Sequence, residues 1–212
     1  MKDYKNVMIF DHPLIRHKVA ILRNKNTGMK EFRELIEEIT TLMAYEVLKE
    51  VPTKEIEVET PLEKCKQTEI VEKSIALVPI LRAGLGMVNG IHTLLPTAKV
   101  GHIGMYRDEV TMQPKEYYCK LPDSIEKMKV IVLDPMLATG GSASAALAYL
   151  KKIGCKDITL MSVIAAPVGV SKIAEDHPDV KLFVSTLDRE LNDNCYILPG
   201  LGDAGDRLYG TK

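Results

Sequence analysis

The sequence has no C-x-x-C pair, no glycine-rich run ending in lysine and serine or threonine, no apolar stretch of bilayer length and almost no net charge. Each absence removes a class of function. The four cysteines, Cys65, Cys119, Cys155 and Cys195, are scattered, which argues against a zinc site or a disulfide framework. A formal net charge of −1 gives no general attraction to nucleic acid or an anionic membrane, so neither is expected as a partner. The opening MKDYKNVMIF lacks the apolar stretch of a signal peptide, and the expected compartment is a reducing cytoplasm. With 46% hydrophobic and 27% charged residues, the 212-residue chain reads as one α/β domain with a substantial core.

Apolar periodicity sets the organisation. Phe32, Leu35, Ile36, Ile39, Leu42, Met43 and Val47 recur at helical spacing, predicting an amphipathic helix over 31–49 with Asn26 or Thr27 as its candidate cap. Residues 55–59, Glu-Ile-Glu-Val-Glu, alternate like a half-exposed strand and predict an arm at about 53–61. Strands are then expected at 75–80, 99–106, 129–133, 158–164 and 180–185, with helices at 85–95, 141–153 and around 169–176. Apolar strands separated by helices imply a mostly parallel sheet covered on both faces. Residues 107–122 hold eight charged or proline residues in sixteen and no period, so they read as a long, lid-like loop, with a plain surface insertion as the alternative. The glycines of the tail, 188–212, argue against a regular helix there.

The stretch LDPMLATGGSASAALAYLKKIG at 133–154 reads strand, tight loop, helix. In a parallel sheet, ligands lie beyond the carboxyl ends of the strands, where Asp134 would meet sugar hydroxyls. Gly140 and Gly141 allow backbone N–H groups close to an anion, the helix start favours negative charge, and Thr139 and Ser142 add hydroxyls. A sugar phosphate suits this set, while a capped turn with no ligand is the plain alternative. Arg82 and Arg107 each follow an apolar strand, so both are expected at the same edge, where guanidinium forks suit phosphate or diphosphate. The run Gly84-Leu85-Gly86 through Gly90 approaches a dinucleotide fingerprint, but its spacing is G-x-G-x-x-x-G, and Tyr106-Arg107 ends the next strand where an acid would be needed, so that Asp108 alone keeps that reading open.

VLDPMLATGGSA (132–143), LRAGLGM (81–87) and YILPGLGDAGDR (196–207) resemble the uracil phosphoribosyltransferases, over nearly the whole chain and down to the terminal GTK. The resemblance implies the type I phosphoribosyltransferase fold: an α/β domain with a mostly parallel central sheet flanked by helices, an N-terminal helical segment, a β-arm and a C-terminal base-binding hood. It implies transfer of phosphoribose from 5-phosphoribosyl 1-diphosphate to uracil, giving UMP and diphosphate. By position, Asp134, Pro135, Met136, Leu137, Ala138, Thr139, Gly140, Gly141 and Ser142 would bind ribose 5-phosphate. Arg82 and Arg107 would hold the diphosphate. Ile197, Gly202, Asp203 and Ala204 would border uracil, with Asp203 also near the donor and, together with Arg107, catalytic. Mg²⁺ would arrive with the diphosphate rather than in a protein cage. The family also implies a homodimer or larger homo-oligomer and, in some members, activation by GTP. Pro135 departs from the wider group, which has a second acid there, and leaves one ribose hydroxyl to the main chain or water. Two other readings are an enzyme for a different base and an RNA-binding regulator on the same fold, the latter without the basic face it needs.

Overall fold

The computed structural model describes residues 4–71, 74–107 and 114–211, the side chains of 106, 107 and 114–116 excepted. The chain opens with β1 (Val7–Ile9), α1 (Pro13–Arg23) and α2 (Met29–Val47), followed by an antiparallel arm of β2 (Thr53–Glu59) and β3 (Lys64–Ile70). The sheet then builds through β4 (Ile75–Leu81), α3 (Leu85–His92), β5 (Lys99–Val100), β6 (His102–Arg107) and β7 (Pro114–Lys120). Next come β8 (Lys129–Leu133), β9 (Met136–Leu137), α4 (Gly141–Lys152), β10 (Asp157–Ala165), α5 (Pro167–Asp176) and β11 (Lys181–Leu187). A short hairpin, β12 (Glu190–Leu191) with β13 (Ile197–Leu198), and the helix α6 (Ala204–Tyr209) form the tail.

The main strand order is β1-β11-β10-β8-β4-β6-β7, parallel except for the β6–β7 pair. Central strands are buried on both faces, and adjacent residues serve opposite cores. Ile75, Leu77, Ile131 and Leu133 pack with α1, α2, α3 and the tail. Ala76, Val78, Val130 and Val132 pack with α4 and α5. This alternation explains why the strands read as continuous apolar runs. No helix among the described residues is long and apolar enough to cross a membrane.

Four expectations need correction. The 107–122 stretch is no continuous loop: residues 114–120 form β7, an antiparallel edge strand on β6 whose charges and proline hid its period. Residues 108–113 lie outside the described residues. Neither Asn26 nor Thr27 caps α2, because Gly28 takes that position and the Thr27 hydroxyl donates to the Ile21 carbonyl. The 99–106 strand is divided at Gly101, where a Cβ would lie 2.8 Å from both Leu121 and Pro122. The tail does contain a helix. Asp203 caps α6, accepting from the Asp206 N–H at 2.9 Å, and Gly210 ends it at φ 67°.

Candidate active site

Asp134 follows the last residue of β8, at the carboxyl edge of the sheet. Its Oδ1 accepts from the Met136 N–H at 3.3 Å, yet burial dominates and pushes its pKa up from 3.8 to about 7. The next residues are held by β10: the Pro135 carbonyl accepts from Val163 and Ile164, β9 pairs with Ile164–Ala165, and the Leu137 carbonyl accepts from Ala166 at 2.9 Å. A rigid strand thus templates the loop. Gly140 sits at φ 78° and leads into α4, where Ser144 N–H closes on its carbonyl at 2.8 Å. Thr139 Oγ1 accepts from the Gly141 N–H at 3.4 Å. Asp134 and residues 136–143 line a hollow of about 90 Å³ at the start of α4. It combines backbone donors, hydroxyls and the positive end of a helix, a composition suited to a phosphate.

At the end of β4 the Leu81–Arg82 peptide is cis. The glycines that resemble a dinucleotide fingerprint have other work. A Cβ at Gly84 would lie 2.3 Å from the Leu133 carbonyl oxygen, one at Gly86 would strike Leu208, and one at Gly90 would strike Glu37 and Thr40. They allow α3 to lie close to β8, α6 and α2, so the dinucleotide reading falls away. The Arg82 side chain is over half exposed. Its Nη2 is 3.9 Å from Asp206 Oδ1, and its guanidinium lies 6.0 Å from the centre of the Tyr209 ring. Tyr209 Oη donates to the Arg82 carbonyl at 3.1 Å. The Arg107 side chain lies outside the described residues.

The hood is anchored by contacts that sequence patterns do not reveal. Asp188, almost fully buried, takes both terminal nitrogens of Arg23 and the Gly200 N–H, while Arg23 also donates to the Gly200 carbonyl. Arg207 donates to the carbonyls of Leu22, Leu201 and Asn24, with its guanidinium 4.2 Å from the centre of the Phe32 ring. These ties fasten the tail to the end of α1. Gly200 at φ 63° and Gly202 at φ 84° turn the chain, and the Ala204 N–H then reaches Met136 Sδ at 3.3 Å. The fold therefore brings the Asp134–Ser142 loop, Arg82 and the 202–206 segment together. The side chains of Ile197 and Ala204 are buried in the core. Among the described residues no three His, Cys, Asp or Glu side chains gather as a metal-binding group.

Comparison with known proteins agrees with this fold. The family model described as uracil phosphoribosyltransferase matches residues 8–211. A uracil phosphoribosyltransferase from Bacillus cytotoxicus is 60% identical over 204 residues, covering 96% of this chain and 98% of its own. The solved structure of the AQ2163 protein from Aquifex aeolicus superposes with a TM-score of 0.90 at 40% identity, covering 97% and 99% of the two chains. An adenine phosphoribosyltransferase from Trypanosoma brucei shares the fold at 12% identity, with a TM-score of 0.56 over 93% of this chain and 88% of its own.

Proposed function

Because the chain belongs to the uracil phosphoribosyltransferase family, we propose that it transfers phosphoribose from 5-phosphoribosyl 1-diphosphate to uracil, yielding UMP and diphosphate in pyrimidine salvage. The observation that carries this reading is the junction of the Asp134–Ser142 loop with the 202–206 segment, one suited to a sugar phosphate and the other to a base.

In this reading the N–H groups of 139–142 hold the 5-phosphate and Asp134 accepts from a ribose hydroxyl. Hydrogen bonds to its anion would lower a pKa that burial has raised. Arg82 draws the diphosphate, and Arg107, the last residue of β6, is assigned the same role. Breaking the C1′–O bond leaves positive charge on the sugar, which the Asp203 carboxylate stabilises, and negative charge on diphosphate, which the arginines stabilise. Uracil offers N–H donors and carbonyl acceptors, and the main chain of 197–204 can match that pattern. Mg²⁺ fits as a cation carried by the substrate, because Asp134 and Asp203 supply hard oxygen atoms without forming a cage. It would neutralise charge on the departing diphosphate.

The reading extends to self-association. Tyr45 and Leu94 stay exposed around two grooves of about 350 and 460 Å³, the first bordered by Ile70 at the end of the arm, and Leu62 stands 96% exposed at the arm's tip. A second copy of the chain is the proposed cover. Sedimentation of wild type against Tyr45→Glu tests this, with a dimer expected only for wild type.

The activity is tested by incubating purified protein with Mg²⁺, 5-phosphoribosyl 1-diphosphate and each nucleobase in turn, then separating the products. UMP from uracil is expected. No nucleotide from any base would overturn the assignment.

A further inference from the structure

We propose that Lys172, on the second turn of α5, is a phosphate-binding residue of the same site and supplies the cation that the Asp134–Ser142 loop lacks. The inference rests on reading that loop as the 5-phosphate site. None of the residues lining the hollow is basic, and one of them, Asp134, is an acid. Backbone donors and a helix end, equivalent to about half a charge, leave much of a phosphate dianion uncompensated.

The missing cation is next door. A Cβ placed on Gly140 would lie 3.1 Å from the Gly169 carbonyl oxygen and 3.5 Å from Lys172 Cβ, and one on Gly169 would lie 2.4 Å from the Ala138 oxygen. α5 is thus pressed against the loop, with the root of Lys172 at its rim. The contacts run in order. Ala138 meets Gly169, Gly140 meets Gly169 and Lys172, and Ser144 meets Asp176 and His177. The amino-terminal direction along α5 is therefore the direction of the loop, and helical side chains lean that way by construction.

Lys172 Nζ bonds Asp176 Oδ2 at 2.7 Å, four residues along the helix. Both side chains are more than two-fifths exposed, and an ion pair so open to water is weak enough to exchange for a phosphate. Asp176 keeps a partner when Lys172 leaves, because Ser144 Oγ donates to the same oxygen at 3.2 Å. The pair therefore serves as a rest position for a lysine that a dianion at the loop attracts more strongly.

Calorimetric titration of the full chain with ribose 5-phosphate tests the proposal. Lys172→Gln is expected to weaken binding roughly tenfold, as for loss of one charge-assisted hydrogen bond, and to flatten its salt dependence. Lys172→Arg should restore affinity to within about threefold. Asp176→Asn, which frees the lysine, should tighten binding, while the KM for uracil and the thermal midpoint stay unchanged in Lys172→Gln. Wild-type affinity in Lys172→Gln overturns the role of Lys172 alone. No binding by the wild-type chain would instead sink the loop assignment, and Lys172 with it.

Discussion

The Ala204 N–H lies 3.3 Å from Met136 Sδ, a contact between residues 68 apart that joins the hood to the loop. Met136 also donates its own N–H to Asp134, so one residue touches both halves of the site. Met136→Leu keeps the volume but deprives the buried Ala204 N–H of its acceptor, a change worth about 1 kcal/mol. The expected result is a raised KM for both donor and uracil. A rise for only one substrate would show that the two halves are not coupled here.

Asp134 gives a pH signature. Its folded pKa is raised from 3.8 to about 7 by burial, so the fold favours the neutral acid. The sign follows. Its contribution is fully present below pH 3.8 and is lost as pH rises towards 7, after which the penalty is constant. Asp134→Asn is always neutral, so in protein without donor its stability advantage should grow from pH 5 to pH 8, reaching at most ~4 kcal/mol. Calorimetric midpoints of both proteins across that range check this. A constant difference would contradict it.

Asp203→Asn separates charge from structure. The carboxylate caps α6, and asparagine caps helices equally well, so stability should hold to within about 0.5 kcal/mol. Turnover should fall at least about tenfold, since charge opposite the developing cation is lost. A lowered midpoint with normal kcat would make Asp203 a structural cap only.

Arg23→Ala leaves the Asp188 carboxylate buried without its cation, and breaking such a pair costs roughly 3–5 kcal/mol. The expected result is a marked loss of thermal stability with weaker uracil binding, because Asp188 and Arg23 together hold Gly200 at the base of the hood. Unchanged uracil KM in folded mutant protein would mean that the hood is positioned by other contacts.

How far the sequence was legible depended on the range of the interaction. The strand at 129–133 and the helix at 141–153 announced themselves because period and turn chemistry are local, and the loop between them carried its glycines openly. α6 was missed although its signals are also local: Asp203 as cap, Asp206 in the first turn and Gly210 as terminator. The glycines of the tail masked a helix of only six residues. β7 was missed because an edge strand with solvent on one side needs little apolar alternation. The Arg23–Asp188 pair spans 165 residues, and the close approach of α5 to the loop depends on Gly140 and Gly169, where a Cβ would meet the opposing backbone. No local pattern encodes either relationship.

The central claim is that one site joins the donor's phosphoribose to uracil and reads the base through the hood. A single incubation with Mg²⁺, 5-phosphoribosyl 1-diphosphate and equal amounts of uracil and cytosine tests it directly, with UMP, CMP and diphosphate quantified over time. Cytosine reverses uracil's hydrogen-bonding groups at positions 3 and 4, and a site built for one pattern rejects the other by about 10⁴ or more. The predicted result is UMP and diphosphate in equal amounts with no detectable CMP. Comparable CMP, or no nucleotide at all, would contradict the account.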